Sequence, residues 1–209
     1  MTIRIGIIGP VGGATPSSPP GKGGRDALGR ALEQLLDDPE IHQIIYLGLD
    51  DAATAAVEAQ QRDALSEEAF LDRAAKLAHG GTPSAIDALL AEDEKRRRLA
   101  IVRRLPHPPA RAIEMFERWI LLAVHDKAML DKDDVANAQV ILYGKAKHAD
   151  FKRFGPRCFF TPGPVSAGLV GRLELSAAGD LTLQAYDRHG RMEIDETLEA
   201  GSAKLVVTA

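Results

Sequence analysis

Two short apolar runs constrain this chain most: Ile3–Ile8 (IRIGII) and Ile44–Leu47 (IIYL), one on each side of a helical segment. Strands filled with β-branched and other apolar residues at consecutive positions need cover on both faces. Between them, Ala27, Leu28, Ala31, Leu32 and Leu35 recur at helical spacing, which predicts a helix over Asp26–Leu36 ending near Asp38-Pro39. The order strand, helix, strand is that of a parallel pair with its crossover helix packed on one face.

Later segments supply the rest of the cover. From Asp51 to about Arg98 the chain turns to Ala, Leu, Glu and Arg at helical spacing, predicting helices over Ala52–Gln61, Ser66–Ala78 and Pro83–Lys95. The last has Thr82 in place to cap it and Pro83 at its first position. Beyond Arg98 the chain is strand-rich. Leu99–Val102 reads as a strand, and Ala112–Phe116 with Trp119–Val124 as a hairpin turning at Glu117-Arg118. A helical turn over Asp133–Asn137 leads to a strand at Val140–Tyr143, and Phe151–Phe154 pairs with Arg157–Thr161 across Gly155-Pro156. Leu169–Leu175, Leu181–Asp187, Arg191–Ile194 and Lys204–Val207 complete a meander. The expected architecture is α/β: two β-sheets packed face to face and flanked by helices, one domain over 1–209 with a helical insertion over 51–98.

The chain has 209 residues, 45% of them hydrophobic, enough for one sizeable core. Its net charge of −4 supplies no basic field for nucleic acid, and the one dense basic run, Lys95–Arg98, reads as a solvated helix end. The single cysteine, Cys158, lies in a strand-like run and reads as a buried structural thiol in a reducing compartment. The first residues lack signal-peptide character, and no apolar stretch is long enough to span a bilayer, so a soluble cytoplasmic protein is expected.

Functional expectations centre on the strand ends. GIIGPVGG follows the first strand, IIYLGLDD the second, and IVRRLPHP the third, while ILLAVHDK ends the hairpin. YGKAKH then closes the strand at Val140–Tyr143, and TPGP follows Thr161. In this order the segments resemble the motifs of the calcineurin-like metallophosphoesterases, in particular their small bacterial phosphodiesterase branch, over most of the chain outside 51–98. That resemblance implies an α/β/β/α sandwich and a site for two divalent metals about 3.5–4 Å apart, held by carboxylate, imidazole and amide ligands from several strand ends.

On these residues the resemblance also implies that the ligands have been lost. The family's first Asp falls on Pro10 and its companion His on Gly12; the Gly-Asp carboxylate falls on Leu49. The Asn of the third motif falls on Leu105, with Pro106 or His107 next to it, and the two histidines of the fourth loop fall on Lys145 and Lys147. His125 alone stands where a ligand belongs. Protonated ammonium groups cannot ligate metals, but they return positive charge to the place where the ions would supply it. Rescue by neighbours needs Asp50 or Asp51 with His107, His125 and His148, and a one-residue shift at a strand end reverses side-chain direction.

No metal or other cofactor is therefore expected. The leading expectation is a catalytically inactive protein that serves as a scaffold or regulatory subunit for a protein partner, as the phosphoesterase-like subunit of eukaryotic retromer does. Asp51–Arg98 and the loop Gly9–Gly24 are its candidate surfaces. A second reading keeps the cleft as a receptor for phosphate or a nucleotide, lined by His125, Lys145, Lys147, His148, Asp50 and Lys22. A third retains residual phosphodiesterase activity with rearranged ligands. GKGGRD at Gly21–Asp26 fails as a Walker loop, because Pro16 and Gly23 stand where Gly and Ser or Thr are needed.

Overall fold

A computed structural model describes residues 2–11, 22–63 and 67–200, without the side chains of Lys22, Arg25, Arg62, Asp63 and Glu67. Strand β1 (Ile3–Ile8) leads to α1 (Lys22–Leu36) and β2 (Ile41–Tyr46). Helices α2 (Ala52–Asp63), α3 (Glu67–Ala78) and α4 (Pro83–Arg98) come before β3 (Val102–Arg104). The hairpin β4 (Ala112–Phe116) and β5 (Trp119–Val124) precedes α5 (Lys132–Asn137) and β6 (Val140–Tyr143). The remaining strands are β7 (Asp150–Phe154), β8 (Arg157–Thr161), β9 (Leu169–Leu175), β10 (Leu181–Asp187) and β11 (Met192–Leu198).

They form two mixed sheets. One has the order β11-β10-β9-β1-β2-β3 and the other β4-β5-β6-β8-β7. In the first, β1 runs parallel to β2 and β2 to β3, with β9 antiparallel on the other side of β1. In the second, β5, β6 and β8 are parallel, and β4 and β7 are antiparallel edges.

Side-chain alternation sorts the apolar residues into layers. Ile5, Ile7, Ile45 and Leu47 meet Leu121, Ala123, Val140, Leu142, Cys158 and Phe160 in the core between the sheets. The opposite faces of β1 and β2 present Ile8, Ile44 and Tyr46 to Leu28, Leu32 and Leu35 of α1. Gly6 lets α1 approach closely, since a Cβ there would lie 2.8 Å from Leu35 Cδ1. On the far side of the second sheet, Leu122, Val124, Ile141 and Tyr143 form a smaller core with Leu130 and Val135.

Two strand expectations shift. Leu99–Ile101 is a 3-10 turn rather than a strand, because the Leu99 amide bonds back to the carbonyls of Arg96 and Arg97 and its side chain packs with the α1 core. The third strand starts at Val102, paired with Ile44. The last described strand extends well past Ile194, with Leu198 opposite Leu181. The expected strand Lys204–Val207 lies outside the described residues. Thr82 caps α4 by accepting from the Ala85 amide, and Asp131 and Asp134 form a reciprocal capping box on α5. No helix among the described residues is long and apolar enough to cross a membrane.

Candidate functional site

The ends of β1, β2, β5, β6 and β8 converge, and they do so through backbone contact. A Cβ on Gly9 would lie 1.6 Å from the carbonyl oxygen of Gly163, and one on Gly144 would lie 2.3 Å from that of Leu47. Neither Gly9 nor Gly144 has a positive φ, so glycine is needed there for space. Gly163 does have a positive φ, 78°, and a Cβ on it would lie 2.7 Å from the His148 carbonyl carbon. The Val165 amide donates to the Pro10 carbonyl at 3.1 Å, tying the β1 end to the segment after β8.

His125 stands at the end of β5, half-buried, with Nδ1 2.9 Å from the Leu47 carbonyl oxygen. A carbonyl only accepts, so Nδ1 carries the proton and the imidazole joins the two sheets. The His125 carbonyl in turn receives the amides of Gly144 and Lys145, at 3.0 and 2.6 Å.

Asp50 is occupied at the start of α2. Its Oδ1 accepts from the Tyr46 hydroxyl at 2.9 Å and from the Ala52 amide at 3.0 Å. The same hydroxyl accepts from the buried Val11 amide at 3.1 Å. Burial, reinforced by the Asp50 carboxylate, pushes the Tyr46 phenol far above its usual range, so it stays a neutral donor.

Lys145 places Nζ 2.6 Å from Asp126 Oδ2. Burial alone would raise the Asp126 pKa, but the Lys145 ammonium, the Ala128 amide and His125 together hold it below the usual carboxylate range. Lys147 and His148 are exposed. Neither makes a side-chain hydrogen bond or ion pair with another described residue. The backbone of Lys22 opens α1, but its side chain is not among those described. Of the six candidates, the structure ties Asp50 and His125 into the strand ends, sets Lys145 beside His125 through Asp126, and leaves Lys147 and His148 at the surface.

Of the remaining motif positions, His107 is exposed and the described others are apolar. Leu105 is buried in the core between the sheets and Leu49 packs against it. Pro10 is buried, and Gly12 lies outside the described residues. Among the described residues no three His, Cys, Asp or Glu side chains are grouped so as to hold a metal ion. The donor set of the described residues does not fit a pair of divalent metals.

Sequence reasoning missed the two tyrosines. Tyr143 at the end of β6 donates to Asp150 Oδ2 at 2.8 Å, Lys152 approaches the same oxygen at 3.2 Å, and Lys127 lies 4.7 Å from the Tyr143 ring centroid. Each tyrosine ends an apolar run just ahead of a glycine, YLG and YG, and that shared pattern was the available signal.

No family model matches the sequence, and no curated protein matches it. Solved structures do resemble the fold. A conserved protein of Streptococcus pneumoniae TIGR4, described as a predicted phosphoesterase, superposes with a TM-score of 0.53 at 10% identity, covering 95% of this chain and 98% of that one. Vacuolar protein sorting 29 from Cryptosporidium parvum gives 0.53 at 11% identity, with 95% and 98% covered. A single mutant of the Entamoeba histolytica protein of the same name gives 0.50 at 13% identity, with 93% and 99% covered. With its two mixed sheets flanked by helices, the chain has the metallophosphoesterase-like α/β fold.

Proposed function

We propose that this chain is a catalytically inactive member of the calcineurin-like phosphoesterases, a single domain over 1–209 with a helical insertion over 51–98. On this reading it acts in the cytoplasm as a scaffold or regulatory subunit for a protein partner. One observation carries the reading: the strand ends that would present metal ligands are closed by backbone and leucine. Gly9 lies against Gly163, Gly144 lies against Leu47, and Leu49 and Leu105 belong to the core between the sheets. His125 donates Nδ1–H to a carbonyl and has only its Nε2 lone pair left to offer, and the candidate carboxylate Asp50 is taken up by the Tyr46 hydroxyl and the first amide of α2. A two-metal phosphoryl transfer needs several convergent oxygen and nitrogen ligands, and no such group stands among the described residues.

The test has two parts. After growth and purification with added manganese, elemental analysis should find no stoichiometric metal. Hydrolysis of a generic aryl phosphodiester should stay at background with manganese or nickel present. Two metals per chain, or turnover abolished by His125→Ala, would reverse the reading in favour of a phosphodiesterase with rearranged ligands.

A receptor for phosphate or a nucleotide is the second reading. It is favoured by the exposed side chains of Lys147 and His148, which have no side-chain partner among the described residues and follow Lys145 of the Lys145–Asp126 pair in sequence. Calorimetric titration with phosphate and with a nucleoside monophosphate separates the two. Saturable binding weakened by Lys147→Met supports the receptor, and no heat supports the scaffold.

A further inference from the structure

The outer face of the second sheet carries a surface that the strand-end site does not use. Among the described strands, β4 is the sheet's edge and pairs with β5 alone. Its inward residues are engaged: Ala112 and Phe116 pack against the core between the sheets, and Glu114 accepts from Gln43 of β2 at 2.7 Å. Its outward residues, Ile113 and Met115, are 58% and 71% exposed. Glu114, the strand's one charged residue, is taken up by Gln43, so the outward face of the edge presents apolar side chains, a template for a further strand.

Next to it lies a cavity of about 160 Å³, comparable to an engineered cavity of about 150 Å³ that takes one benzene-sized group. Ile113, Ile120, Leu122 and Ala138 give it apolar walls, and Asp131, Asp133 and Asp134 line it as well. Asp131 and Asp134 accept each other's amides, and Arg111 pairs with Asp134 at 3.1 Å. Arg111 is further committed to the carbonyls of Pro109 and Met129. Arg111 is engaged by Asp134 and these carbonyls, and the exposed Asp133 side chain has no partner among the described residues. Apolar walls under an acidic mouth match the stem and head of lysine or arginine, which bury their methylenes and keep the charge at the rim.

We propose that β4 is a docking edge for an extended segment of a partner protein. The segment adds as a strand beside Ala112–Phe116, sets apolar side chains on Ile113 and Met115, and inserts one Lys or Arg side chain into the adjoining acidic-mouthed cavity. The surface stands apart from the strand-end site, so the inference holds whether or not the chain hydrolyses phosphoesters.

The test uses the full chain as bait for a displayed library of random peptides long enough to span β4. Selected peptides should be enriched in a basic residue flanked by apolar ones. They should lose at least tenfold in affinity for Asp133→Lys and for Met115→Lys, both substitutions at exposed positions. Unchanged circular dichroism of the variants excludes misfolding, and amide shifts in the complex should cluster on 112–116 and 131–138. Peptides without basic residues, or ones that bind both variants as well as the parent, would overturn the proposal. So would sedimentation showing a dimer of the parent that Met115→Lys dissolves, because the edge would then belong to a second copy of this chain.

Discussion

Replacing Gly9 with alanine tests whether the strand ends are held together as described. The new Cβ would lie 1.6 Å from the Gly163 oxygen and 2.8 Å from its carbonyl carbon. Both are backbone atoms, so no rotamer change relieves the overlap, and the segments must part by about 1.8 Å to reach ordinary contact. Overpacking of this kind costs about 1–3 kcal/mol, and occasionally more. The parting also strains the Val165–Pro10 hydrogen bond, itself contributing about 0.5–1.5 kcal/mol. A loss near the top of that range, about 3–4 kcal/mol, is expected, which for a chain of this size lowers Tm by roughly 6–16 °C. Equilibrium urea unfolding followed by circular dichroism measures it. Gly29→Ala is the matched control: Gly29 lies inside α1, and a Cβ there meets nothing within 4 Å. It should stabilise the protein by about 0.5–1 kcal/mol. A Gly9→Ala loss under about 1 kcal/mol, or the same sign for both variants, would refute the argument from backbone contact.

Tyr46→Phe should cost about 1–3 kcal/mol in the same unfolding assay, because it strips the buried Val11 amide of its acceptor and Asp50 of a donor. A neutral result would mean that the hydroxyl does not join these segments. Lys145→Met should cost under about 1 kcal/mol at pH 7, since the lysine side chain is 41% exposed and solvent screens the pair. The Asp126 pKa is depressed in the folded state, so the pair's contribution is present above the unfolded carboxylate value of about 3.9 and fades as pH falls through the folded one. Parent and variant should therefore converge in stability once the pH lies below the depressed folded-state value, and a gap undiminished across that acid range would show that Lys145 acts through packing alone.

Residue types and local spacing were enough to reveal the strand-helix-strand start, the hairpin at Glu117-Arg118 and the layer order, because period-2 and period-3.6 patterns survive in one dimension. They also showed that Pro10, Leu49 and Leu105 bring no metal donors, since a proline or leucine side chain has none wherever it folds. Local pattern misjudged Leu99–Ile101, whose apolar run suits a strand, because the α4 turn continued through Arg98 decides its hydrogen bonds. Only the tertiary structure decided that Asp50 accepts from the Tyr46 hydroxyl, that Asp126 receives Lys145, and that His125 holds Leu47 across the two sheets. Those partners lie 4 to 78 residues apart in sequence, and packing at the strand ends selects them. The contacts of Gly9 with Gly163 and of Gly144 with Leu47 likewise become visible only when the two sheets close, because a glycine in sequence does not record whether it is there for φ or for space.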